Sequence, residues 1–210
     1  MRSSSETARR LLATGVVALA ECTRRPHPVS ELPLRIGEPF AGPAVTVGIP
    51  AGDNLGVHLA IEAARAGDVV CVASAGRGLY GVLGDLLALS ARVRDVAALV
   101  IDDGIRDLDA LAATPAIAAR GVSARGTVKR RVRHPVNADV SIAGALVRLG
   151  DWIVGDVDGI CVVPGEEIDD VLGRAESRLE HERGVREELR AGAPTRTVLK
   201  LPGDPTASIS

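Results

Sequence analysis

Aromatic side chains are almost missing from this sequence, with one Trp, one Tyr and one Phe among 210 residues. Proteins that bind single strands stack bases on such rings and attract the backbone with excess positive charge. Here there is no stacking platform and the formal net charge is -2, so nucleic acid is not an expected partner. Cysteine is scarce too. Cys22, Cys71 and Cys161 are far apart, odd in number and set among apolar neighbours, which suits neither a disulfide framework nor a metal-ligand pattern. Buried thiols in a reducing compartment are the expectation. No apolar run reaches the length needed to span a bilayer, because each is strand-sized and broken by Gly, Pro or charge, and no membrane partner is expected. The apolar stretch Leu11 to Ala20 lacks a small-residue cleavage site and fits an ordinary helix, so a cytoplasmic location is expected. A Gly-Lys-Ser/Thr phosphate loop and a dinucleotide fingerprint are both absent.

What is present is a chain with 46% hydrophobic residues, enough for one domain over residues 1–210 with a substantial core. Its most informative stretch runs from Gly84 to Asp107. Gly84-Asp85 reads as the entry to a helix with Leu86, Leu87, Leu89 and Val93 on its apolar side, and Asp85 is a candidate N-cap. The first-turn N–H groups, those of Leu86 and Leu87 among them, lack intrahelical partners and together with the helix dipole suit a carboxylate. Val96 to Ile101 is a continuous apolar run fit for a buried parallel strand. Asp102-Asp103-Gly104 turns the chain, and Arg106 and Asp107 fall just past the strand's C-terminal end, where α/β folds gather ligand-binding groups. A guanidinium there can pair with a carboxylate or stabilise an oxyanion, and a carboxylate can hold a hard divalent cation directly or through water. The plainer alternative makes Asp107 a cap for a helix beginning at Leu108 and Arg106 a solvated loop residue.

Gly84-Asp85, twenty intervening residues and Arg106-Asp107 resemble the signature of the class II pyruvate aldolases that are similar to the ribonuclease E activity regulator A family, typified by 4-hydroxy-4-methyl-2-oxoglutarate aldolase. The likeness extends to Gly42 through Val47, Gly52-Asp53-Asn54-Leu55 with His58, Gly67 through Val70, Gly150-Asp151 and Gly155 through Gly159. It covers roughly residues 38 to 190. The resemblance implies an α/β chain with the layered β/β/α swivelling-domain fold, bearing N- and C-terminal helices. It implies assembly as a homotrimer or homohexamer with sites between subunits, and retro-aldol cleavage of a 4-hydroxy-2-oxo acid to pyruvate, with oxaloacetate decarboxylation as a side activity. Mg²⁺ or Mn²⁺ would be the cofactor, held by Asp107 and by Glu182 of a neighbouring copy. The substrate would be bound by Leu86, Leu87, Arg106, Asn54 and Lys129, with Arg130 the alternative to Lys129. Asp85 and Arg106 would be catalytic. A non-enzymatic regulator of a ribonuclease and a lyase with a different acid substrate are the alternatives; the regulators tend to lack the closing Asp, which is present here as Asp107.

Around that stretch the sequence predicts a first amphipathic helix over residues 6 to 22 and a Pro-rich loop to Pro33. Residues 1–33 have no counterpart to the Ser-Asp-Ala start usual in the family. A strand is expected over Pro43 to Ile49, a helix from Asn54 to about Ala66, and a buried strand over Val69 to Ala73. Asn54 is either the amide at the far end of a substrate or a helix-start residue serving backbone donors, and His58 reads as structural. After Asp107 come a short helix to about Ala113 and a strand near Ile117 to Arg120. Residues 121 to 134, with Arg125, Lys129, Arg130, Arg131, Arg133 and His134, form the most basic stretch, by default a solvated face. Val140 to Leu149 and Asp151 to Val163 read as an antiparallel pair covering the sheet. A helix over 166–191 places Glu182 and Arg186 on or near its apolar seam, where a local i,i+4 pair is the alternative to a metal role. The tail 192–210 is expected to be loose.

Overall fold

The computed structural model describes residues 4–24, 32–76, 78–112 and 115–202. In chain order its strands are β1 (Leu34–Ile36), β2 (Phe40–Pro50), β3 (Val69–Ala75), β4 (Gly81–Leu83), β5 (Ala98–Ile105), β6 (Ala116–Val122), β7 (Val140–Ile142), β8 (Ala145–Val147), β9 (Trp152–Gly155) and β10 (Ile160–Val163). The helices are α1 (Ser4–Thr14), α2 (Val16–Cys22), α3 (Leu55–Ala63), α4 (Asp85–Val93), α5 (Ile168–Arg190) and α6 (Thr195–Val198). The main sheet runs β1-β6-β5-β3-β2-β9-β10, with β4 pairing the end of β5. Strands β2, β3, β5 and β6 are mutually parallel, and β1, β9 and β10 add antiparallel edges.

The pleat of the central strands builds two cores. Successive side chains point to opposite faces, so Val70, Val72, Leu99 and Ile101 meet α3 and α4 on one side. Val69, Cys71, Ala98 and Val100 meet the β7–β8 hairpin on the other. Both faces being covered, these segments read as unbroken apolar runs rather than alternating ones. A third cluster seats α1, α2 and the first half of α5 on Ala41, Trp152, Val154, Cys161 and Val163. Hairpin, sheet and helices make the three layers of a β/β/α arrangement. Burial pushes the Cys161 thiol up to about 12 and the Cys71 thiol further still, as expected of packed thiols. Among the described residues no helix is long and apolar enough to cross a membrane.

Several expectations are corrected. The first helix is two, because Gly15 turns the chain at φ +82 and the Asp156 carboxylate accepts the Val16 N–H at 2.9 Å. Residues 140 to 163 do not form one covering pair: β7–β8 covers the sheet while β9 pairs with β2 inside it. The helix after Asp107 is a single 3-10 turn, Leu108–Ala110. The seam of α5 is buried only at Val171, Leu172 and Ala175, and the part carrying Glu182 and Arg186 lies beyond it. Pro26 and Pro28 of the Pro-rich loop, Arg77, and residues 203–210 of the tail fall outside the described residues.

Candidate active site

β4 and β5 end side by side. The Arg106 N–H donates to the Leu83 carbonyl at 2.9 Å, which puts the residue after β5 next to the last residue of β4, just before the N-cap of α4. Gly84 is the N-cap of α4, in extended conformation and without a side-chain cap, and the Ala88 N–H returns to its carbonyl at 3.0 Å. Asp85 is therefore the first helical residue and not the cap expected of it. A Cβ on Gly84 would lie 2.4 Å from Asp107 Oδ2 and 3.0 Å from Arg106 Nε, so only glycine leaves room for both side chains at this helix mouth.

Asp107 reaches that mouth from a left-handed backbone, φ 60 and ψ 38, and makes no side-chain cap to the turn at Leu108. Its Oδ2 lies 3.4 Å from the Asp85 N–H nitrogen and 3.4 Å from Arg106 Nε. For a non-glycine residue such a backbone costs roughly 1 kcal/mol or more, and it aims the carboxylate back at α4 instead of forward along the 3-10 turn. Leu87 is buried, whereas Leu86 is 76% exposed. The start of α4 thus brings first-turn backbone donors, the Arg106 guanidinium and the Asp107 carboxylate together. A carboxylate such as that of Asp107 suits an ion like Mg²⁺, which keeps most of its water and takes one or two carboxylates; among the described residues no group of three His, Cys, Asp or Glu forms a fuller cage.

Asn54 joins this region from α3. Its Nδ2 donates to the Val82 carbonyl at 3.2 Å, two residues before Gly84, and its Oδ1 is buried without a partner. It occupies the N-cap position of α3 but makes no side-chain cap; the Asp53 carboxylate, one residue earlier, accepts the Leu55 N–H at 2.9 Å instead. Lys129 is exposed beside the first turn of α3, where its charge acts on His58. Glu182 is not brought to this opening by its own chain. It pairs with Arg178 at 3.1 Å and Arg186 at 2.8 Å and lines a cleft of about 220 Å³ with α2, which matches the local-pair alternative.

Sequence reasoning passed over three tie points. Asp103 Oδ1 accepts the Tyr80 N–H at 2.7 Å and Oδ2 the Ser74 hydroxyl at 2.7 Å, holding the loop that leads into β4. Arg125 stacks 4.1 Å over the Tyr80 ring and donates to its hydroxyl. Asp102 accepts the Ala143 N–H at 3.0 Å and pairs with Arg120, fastening the β7–β8 turn to the sheet. A signal existed only in the run Asp102-Asp103, where carboxylates continue a buried strand and must find donors. A second cavity, about 590 Å³, lies at the opposite ends of the parallel strands among Pro43, Ala63, Gly67 and Trp152, away from the gathered polar groups.

A family model described as RraA-like, Aldolase/RraA, matches residues 16–162. A protein of Halalkalibacterium halodurans named "Putative 4-hydroxy-4-methyl-2-oxoglutarate aldolase" is 34% identical over 147 residues, 70% of each chain. The crystal structure of Streptomyces coelicolor RraAS2, titled an unusual member of the RNase ES inhibitor RraA protein family, is similar with TM-score 0.75 and 24% identity over 89% of this chain and 98% of that one. The RNA-processing inhibitor RraA from Thermus thermophilis gives TM-score 0.56 and 26% identity over 61% and 77%.

Proposed function

The chain belongs to the RraA-like, Aldolase/RraA family, and from that premise we propose that it is a carbon–carbon lyase cleaving a 4-hydroxy-2-oxo acid, such as 4-hydroxy-4-methyl-2-oxoglutarate, to pyruvate and a second carbonyl product. One observation carries the reading: Arg106 and Asp107 converge on the mouth of α4, where a Cβ on Gly84 would collide with the Asp107 carboxylate at 2.4 Å. The substrate's head carboxylate docks at the Leu86 and Leu87 N–H groups, which the helix start leaves without acceptors. The Arg106 guanidinium takes the 2-oxo oxygen and stabilises the negative charge that develops there as the C3–C4 bond breaks. Asp85 orients the water that accepts the 4-hydroxyl proton and later returns a proton to carbon. Lys129, with Asn54, meets the substrate's far end. Mg²⁺ or Mn²⁺, held by Asp107 largely through water and by Glu182 of a neighbouring copy in a trimer or hexamer, would supply Lewis-acid polarisation of the 2-oxo group.

The test is pyruvate release from 4-hydroxy-4-methyl-2-oxoglutarate and from oxaloacetate. Release should require added Mg²⁺ or Mn²⁺, stop with chelator, and fall at least about a hundredfold in kcat/KM for Arg106→Ala, the usual cost of losing an oxyanion donor. A second reading, a protein-binding regulator of a ribonuclease, draws on the inhibitor titles of the two similar structures. Metal-independent silence toward both acids would favour it.

A further inference from the structure

We propose that Asp53 is a positioning residue: it anchors the basic segment 128–134 to the start of α3, so that Lys129 stands beside Asn54 at the rim of the candidate active site. The inference rests on the lyase reading above. Asp53 is fully buried, and a carboxylate taken from water must be matched by donors. It finds them in two segments at once. Oδ1 accepts the Leu55 N–H at 2.9 Å within α3's first turn, and Oδ2 accepts the Arg130 N–H at 2.8 Å, 77 residues away in the chain. The His134 ring, equally buried, places Nε2 3.6 Å from Oδ1.

The backbone completes the anchorage. Val128 N–H donates to the Gly52 carbonyl at 2.9 Å and the Asn54 N–H donates to the Val128 carbonyl at 3.1 Å, a short parallel bridge on either side of Asp53. Further along, the Gly48 N–H donates to the Pro135 carbonyl at 3.4 Å and the Asn137 N–H to the Thr46 carbonyl at 2.7 Å. The segment is a strap tied at both ends to β2 and the turn after it. Between the ties Lys129, Arg130, Arg131 and Arg133 are all exposed. Four like charges within five residues repel one another and favour an open chain, so the strap needs an attachment that its own composition does not supply. Asp53 supplies it one residue from Asn54, whose amide reaches the Val82 carbonyl near the helix mouth. Lys129 is thereby set against α3's first turn, close enough for its charge to act on His58.

The test uses the full chain in four forms: wild type, Asp53→Asn, Val128→Pro and Lys129→Ala. Asp53→Asn keeps the side-chain shape but turns one acceptor into a donor facing an N–H. Val128→Pro removes the donor to Gly52 at an exposed position. Both should speed trypsin cleavage after Lys129, Arg130 and Arg131 by about tenfold or more, as expected when local opening becomes cheap. Both should also raise KM for oxaloacetate about tenfold with kcat within about threefold, the signature of lost uniform binding. Lys129→Ala should raise KM alike while leaving cleavage after Arg130 and Arg131 at the wild-type rate. Wild-type trypsin resistance in folded Asp53→Asn and Val128→Pro proteins overturns the anchor. An opened strap with unchanged KM overturns the positioning role. If Asp53→Asn does not fold, Val128→Pro decides both points. Failure of wild type to release pyruvate sinks the lyase reading instead, and the trypsin rates still decide the anchor.

Discussion

His58 sits half-buried on α3, and its pKa is lowered first by burial and then by the nearby charge of Lys129, with Glu62 opposing. The folded chain therefore favours the neutral imidazole. That contribution to stability is complete above the unfolded value of about 6.5 and is lost as pH falls below it toward the folded value. Lys129→Ala should move the His58 midpoint upward, yet leave it below 6.5 because burial, the larger cause, remains. A ring-proton NMR titration reads both values; a midpoint that does not move would show that the ammonium does not stand beside α3. The identity of Asp107 was plain in the sequence, but its left-handed backbone and its aim toward Asp85 were not, since local rules favour a forward cap at that position.

At the scale of elements, α5 divides into a packed half and a solvated half. Val171, Leu172 and Ala175 are buried under α1 and α2. Beyond Leu179 the helix is maintained by exposed ion pairs such as Arg178–Glu182 and Arg186–Glu182, worth about 0.3–0.5 kcal/mol each. Gly184 lies in that half, and a Cβ added there meets nothing within 4 Å. Gly184→Ala should stabilise the segment by about 0.5–1 kcal/mol through helix propensity alone. Hydrogen exchange of the amides over 180–190 should slow several-fold, and pyruvate release should be unchanged. Faster exchange would mean that the glycine serves a bend or a close approach. Periodicity predicted this helix nearly to its ends, but the seam drawn through Glu182 stopped short because the partner helices α1 and α2 extend only so far.

At the scale of the whole molecule, α4 leaves Leu86, Leu89 and Val93 exposed at 76%, 53% and 76%. Spaced i, i+3, i+7, they form one apolar stripe beside the candidate site. Such a face suits a second copy, and a copy could bring Glu182 to an opening that its own chain does not reach. Asp107→Asn and Glu182→Gln should each abolish metal-stimulated pyruvate release. Unfolded together and refolded, they should regain roughly a quarter of wild-type activity, the share of intact two-copy sites in random assembly. No recovery in a mixture that sedimentation shows to be oligomeric would confine the site to one chain.

Sequence alone determined the local pieces: the buried strand β3, the apolar first half of β5, the helix entry at Gly84-Asp85, and Arg106-Asp107 past the end of β5, whereas the turn expected at Asp102-Asp103-Gly104 is a continuation of β5. Each is written by residues within a few positions of one another, where side-chain period and backbone preference act. Only the tertiary structure decided that β9 joins the main sheet, that Asp102 fastens the turn at Ala143, and that Asp53 holds the strap at Arg130. Those choices depend on partners tens of residues apart, and a buried carboxylate carries no mark in the sequence of which distant N–H will satisfy it.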